Sequence, residues 1–140
     1  MLVFNACGQN KKSDMKTLVA YFSATGTTEA VAKDLAEVTG ATLYEIKPEV
    51  KYTAADLDWT VKTSRSSVEM QDKNSRPAIV KDLEDADSYD VIFIATSGGS
   101  SIDKANKEFA AAYPKINWKA GKTLNNVTKA EIKTWAEGLK

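Results

Sequence analysis

KTLVAYFSATGTTEAVAK, running from Lys16 to Lys33, decides how the rest of the chain is read. Leu18, Val19, Ala20, Tyr21 and Phe22 form a short, nearly continuous apolar run, the pattern of a strand covered on both faces. Ser23-Ala24-Thr25-Gly26-Thr27-Thr28 then supplies four hydroxyls and one glycine. Ala30, Val31, Ala32, Leu35 and Val38 come next at helical spacing, so a helix is expected to start near Thr27 with Glu29 in its first turn. A helix mouth of this kind presents unpaired backbone N–H groups at the positive end of the helix dipole, a geometry suited to a phosphate. Gly26 lets backbone and ligand come close. The same residues would equally serve as ordinary caps of a strand-to-helix turn, and composition alone does not separate the two readings.

The whole chain has 140 residues, enough for one domain with a single core. Its 19 basic and 19 acidic residues balance, which gives no electrostatic argument for a nucleic-acid partner. Histidine is absent, which excludes histidine-based triads and histidine metal ligands. Cys7 is the single cysteine, so an intrachain disulfide, a Cys-x-x-Cys pair or a Cys-ligated cluster cannot form. Redox chemistry would have to be carried by a cofactor. Residues 1–14 are set apart as a disordered N-terminus or the remnant of a lipoprotein signal and tether. Ala6-Cys7-Gly8 would be the processing site, with the true start upstream of Met1. A lipid on Cys7 would make the protein membrane-anchored and extracytoplasmic; otherwise a cytoplasmic location is expected.

Residues 15–140 are read as the folded domain. Gly40 ends the first helix, and Ala41 to Ile46 alternate as a second strand stopped by Pro48. Residues 49–87 carry a weak pattern. A short helix over Ala54–Lys62 is expected there, capped by Thr53 with Leu57 and Val61 facing inward, while Ser64–Met70 and Ser75–Ile79 read as polar and broken. Tyr89–Ala95 is the strongest strand and runs into Thr96-Ser97-Gly98-Gly99-Ser100-Ser101, a second Gly/Ser turn at a strand's carboxyl end. A helix from Ile102 ended by Pro114, a short strand broken near Gly121, and a last helix opened by a Thr128/Glu131 capping box complete the chain. Two such turns at the ends of parallel strands would converge on one crevice. No Gly-x-Ser-x-Gly elbow or histidine base accompanies the second turn, so a serine nucleophile is not indicated.

Ser23-x-Thr25-Gly26-x-Thr28, directly after the first strand, resembles the phosphate loop of the flavodoxin family. In that family the loop holds the FMN monophosphate without a basic residue, and the next lysine here is Lys33. A P-loop would need a Gly-Lys-Ser/Thr ending, and G-x-G-x-x-G is absent. Asp56–Trp59, Ser64–Met70 and Ser75–Ile79 are similar to a series carried by a subfamily of short bacterial flavodoxin-like proteins, with Arg65 and Arg76 as candidates for anion or partner contacts. The resemblance departs at Ile94. Relatives pass there into an aromatic loop, a helix and a further strand, whereas this chain goes straight to Ala95-Thr96-Ser97-Gly98-Gly99, about thirty residues short by the usual size of a βαβ unit.

The resemblance implies an abbreviated flavodoxin-like three-layer α/β sandwich, with a three- or four-stranded mainly parallel sheet whose order starts 2-1-3. It implies FMN as cofactor, held at Ser23, Thr25, Gly26, Thr27 and Thr28, with Thr96, Ser97, Gly98, Gly99 and Ser100 approaching the flavin ring, and a redox protein as partner. The short form implies weaker flavin affinity, and exposed apolar surface through which two copies would pair as a homodimer. Trp59, Tyr89 or Trp118 would be the aromatics left to replace the missing loop, though each reads first as a packing residue. The other reading, from a different class, is a cofactor-less flavodoxin-derived interaction module, tethered at the cell surface through Cys7. No metal site and no acid, base or nucleophile is expected.

Overall fold

A computed structural model of the chain describes residues 15–96 and 102–139. Among them four strands form one sheet in the order β2-β1-β3-β4: β1 (Lys16–Tyr21), β2 (Thr42–Glu45), β3 (Tyr89–Ala95) and β4 (Asn117–Thr123). Every pairing is parallel, as expected of strands joined by helical crossovers. Four α-helices accompany them in the described residues: α1 (Thr27–Thr39), α2 (Arg65–Gln71), α3 (Asp103–Ala112) and α4 (Lys129–Glu137). None of the described helices is long and apolar enough to cross a membrane.

The alternation of β1 and β3 sorts their side chains into two layers. Val19, Tyr21, Ile92 and Ile94 face α1 and α4, and with Ala32, Leu35, Leu124, Ile132 and Ala136 they make the main core. Trp135 and Leu139 pack against its edge, as the spacing of α4 predicts. On the opposite face Phe93 meets Phe109 of α3 edge to face at 5.0 Å, and Phe109 stacks on Trp118 of β4 at 5.5 Å. Leu18 and Val91, register partners in the neighbouring strands, are buried there too. The three-layer α/β sandwich and the 2-1-3 start are therefore observed, with four strands.

Three local expectations are corrected. Ala54–Lys62 makes turns instead of a helix. Thr53 and Asp56 do form a reciprocal cap, Thr53 N–H donating to Asp56 Oδ2 at 2.8 Å and Asp56 N–H to Thr53 Oγ1 at 3.2 Å, and one turn closes from Leu57 N to Thr53 O. Asp58 then takes the backbone N–H and hydroxyl of Thr60, which stops propagation. Trp59 and Val61 consequently stand exposed. Helix α2 instead forms in the stretch read as broken, because Ser64 caps it by accepting from Ser67 N–H.

Gly121 does not break β4. The strand shifts register between Ile92↔Lys119 and Ile94↔Lys122 and continues, the pattern of a bulge. The exposed large apolar side chains among the described residues fall mostly between positions 50 and 80, led by Met70 and Trp59 at 85% and 83% exposure.

Candidate ligand site at the carboxyl ends of the strands

Phe22 leaves β1 and the chain turns through Ser23–Gly26 into α1. Gly26 occupies the N-cap position with φ 90°, a left-handed conformation that an L side chain resists, and a Cβ built on it would meet nothing within 4 Å. The glycine is thus required by backbone conformation, not by crowding. Its N–H donates to Ser23 Oγ at 3.0 Å, which fixes the turn and leaves the serine O–H free to donate outward. The first backbone bond of the helix runs from Ala30 N to Gly26 O at 3.1 Å. No side chain caps this end. The N–H groups of the first turn, Thr27 to Glu29, have no helical partner by construction and sit at the positive end of the dipole.

The first of the two turns singled out in the sequence meets Thr96, the residue that opens the second. Thr28 Oγ1 and Thr96 Oγ1 share a hydrogen bond of 2.7 Å across 68 positions of sequence. Ser97, Gly98, Gly99 and Ser100 lie outside the described residues, so of the second turn Thr96 alone is placed. The first turn and Thr96 border an open cleft of ≈ 720 Å³. Thr25, Thr27, Ala30 and Val31 form one wall, Thr96 sits between, and Leu124, Asn125, Asn126 and Val127 form the other. Thr25 and Thr27 hydroxyls stand 3.4 Å apart on the first wall.

Among the described residues no basic side chain lines this cleft. Lys33, the nearest lysine in sequence after the loop, is paired with Glu29 at 2.5 Å, and that bond holds its ammonium above the ordinary lysine range. An anion in the cleft would therefore be met by N–H groups, hydroxyls and a helix dipole. This set fits a phosphate monoester, for which the loop offers donors without a counter-charge.

Asn125 and Asn126 were not legible as site residues. They come after β4, and only the pairing of β4 with β3 brings their turn opposite the β1–α1 turn. The available signal was local: two asparagines just ahead of a capping box. Asn126 takes φ 50°, the one described non-glycine residue in the left-handed region. Helix α4 behind it is closed as an anion site, because Thr128 and Glu131 form a complete capping box.

Of the three aromatics weighed as substitutes for the missing loop, and read first as packing residues, none lines the cleft. Tyr89 opens β3, at the amino end of a seven-residue strand, about 20 Å from the cleft end. Trp118 is likewise near the amino end of β4 and is occupied by Phe109, with its Nε1–H donating to Tyr113 O at 3.2 Å. Trp59 projects into solvent. The aromatic beside the loop is Phe22, which meets Tyr52 edge to face at 5.8 Å; the two join Ile46, Pro48, Pro77 and Ile79 around a smaller apolar pocket of ≈ 240 Å³.

Arg65 and Arg76 are engaged locally. Arg65 donates to Glu69 at 2.7 Å and to Val50 O at 2.8 Å, and its guanidinium lies 3.9 Å from the Tyr52 ring centre. Tyr52 O–H also donates to Glu69, and this bond, ahead of the one from Arg65, keeps the Glu69 carboxyl below its usual range. Arg76 donates to the carbonyls of Lys73 and Ser75. These arginines hold the segment between β2 and β3 together.

In this doubly wound parallel sheet the polar cleft lies where strand order reverses between β1 and β3, the place where open α/β sheets take their ligands. The flavodoxin family model matches residues 16–96 and, as a second stretch, 94–139, and the chain belongs to the flavodoxin family. Two crystal structures are similar to it. A candidate flavoprotein of Bacteroides uniformis is 44% identical at a TM-score of 0.79, the alignment covering 88% of this chain and 98% of that one. Another, of Bacteroides eggerthii, is 39% identical at a TM-score of 0.77, covering 90% and 98%. No curated protein matches the chain.

Proposed function

We propose that the chain binds FMN and serves as an electron carrier for a redox protein partner. The observation that carries this reading is the uncapped start of α1, opening on a cleft whose described lining holds hydroxyls and no cation. Family membership supports the choice of flavin, and flavodoxin is itself a type example of ligand binding at the strand-order switch. Bound FMN would supply the redox chemistry by accepting and returning electrons.

The chain's own residues have binding and shaping roles in this reading. Backbone N–H groups of Thr25, Thr27 and Thr28 and the hydroxyls of Ser23, Thr25 and Thr27 hold the phosphate. Gly26 keeps the turn left-handed so that those groups converge. The Thr28–Thr96 hydrogen bond ties the phosphate turn to the end of β3. The family model's two matched stretches overlap at positions 94–96, leaving no chain between them. A short form of the family with modest flavin affinity is part of this proposal.

Titration of FMN fluorescence with wild-type protein and with Gly26→Asp tests the proposal. The variant places a carboxylate at the helix mouth where a Cβ meets no neighbour, and should weaken FMN binding at least about tenfold. Wild-type protein that leaves FMN fluorescence unchanged contradicts the proposal and favours the cofactor-less interaction module.

A further inference from the structure

We infer that Asn126 is a ligand-contacting, specificity-determining residue, whose side-chain amide binds the uncharged hydroxylated chain of the flavin nucleotide; this rests on the FMN reading above. The cleft is chemically asymmetric. On the β1–α1 side an open helix start offers N–H donors and a positive dipole end. Across the ≈ 720 Å³ cleft, the turn after β4 presents Asn126. The start of the helix behind that turn is already satisfied. Glu131 N–H donates to Thr128 Oγ1 at 3.3 Å, and the Glu131 carboxylate accepts from Thr128 N–H at 2.7 Å and from the Thr128 hydroxyl at 2.9 Å.

The Glu131 carboxylate, held behind that wall and outside the cleft lining, disfavours a second negative charge near it. Charge and neutral polar groups of one ligand are thereby sorted: phosphate against Thr25–Thr28, hydroxyls toward Asn126. A primary amide suits alcohol groups because it both donates and accepts. Among the described residues no hydrogen bond engages the Asn126 side chain, so it need not break one to meet a ligand. Its position is set by the sheet order. With β4 paired directly to β3, its outgoing turn lies one strand away from the β1 turn.

The test is a titration of wild type and Asn126→Gly with FMN and with riboflavin, which shares the hydroxylated chain and lacks the phosphate. Glycine keeps the left-handed backbone at φ 50° and removes only the amide. The expected result is a loss of affinity of about three- to tenfold, equal for both ligands, the scale of one hydrogen bond. An FMN affinity within about twofold of wild type overturns the assignment, as does a loss confined to FMN, which would place the amide on the phosphate. Wild-type protein that does not bind FMN overturns the FMN reading itself, and this inference with it. A thermal melt of the ligand-free variant separates an unfolded sample from a weakened site, and Asn126→Asp, which keeps an acceptor, loses the N–H donors and adds a charge, is the second variant: folded protein that binds FMN within about twofold of wild type overturns the assignment.

Discussion

Gly121 has almost no room around it: a Cβ there would lie 2.4 Å from the Phe93 carbonyl oxygen and 2.7 Å from Asn106 Oδ1. The Asn106 side chain also donates to the Gly121 carbonyl at 3.4 Å, so α3 is set against the bulge of β4 through this residue. Gly121→Ala must displace backbone of the central strand and should cost about 3 kcal/mol, at the upper end for overpacking. Gly40→Ala is the control. Gly40 has φ 69° with nothing within 4 Å, so only backbone strain is added, about 1 kcal/mol. Urea unfolding of both variants checks the order, and equal midpoints would contradict it. At this scale the sequence read well where chemistry is local. Ser23, Gly26 and Thr28 stand where a strand-to-helix turn needs them. Gly121 was read as a breaker because a close approach between strands distant in sequence leaves no local sign.

Capping decides which segments become helices only where the residues beyond the cap support it. Thr53 with Asp56 and Thr128 with Glu131 carry the same cap chemistry, yet only the second starts a helix. Ile132, Trp135 and Ala136 give α4 an apolar face to bury, whereas Asp58, Trp59 and Val61 give the earlier segment a competing carboxylate and exposed side chains. Glu131 makes a pH prediction possible. The Thr128 backbone N–H, and then its hydroxyl, hold the Glu131 carboxyl below the usual range. A depressed folded value means the stabilisation is present above the unfolded pKa, near 4.3 on average, and is lost as pH falls through the folded value. Glu131→Gln cannot ionise. Its urea midpoint should therefore fall less steeply than wild type below about pH 4.5, and parallel curves would contradict the assignment. Helix α2 was missed because its cap, Ser64, lies in a polar run with no buried face to betray it.

For the molecule as a whole, the three layers arise from the apolar runs of β1 and β3, which leave no face free for solvent. That much was legible; of the expected convergence of two turns, the described residues show the contact of Thr28 with Thr96. The far wall of the cleft was not, since it depends on β4 lying beside β3. Pairing of two copies is a proposal, with the exposed apolar side chains between positions 50 and 80 as its surface; Leu18 and Val91 are already covered. The proposed binding of FMN turns on whether the start of α1 holds the phosphate. The dissociation constants of FMN and riboflavin for wild-type protein, compared at one ionic strength, report on that contact alone. FMN should bind at least about tenfold more tightly, because the phosphate gains several charge-assisted hydrogen bonds. Equal affinities would mean that the helix start holds no phosphate.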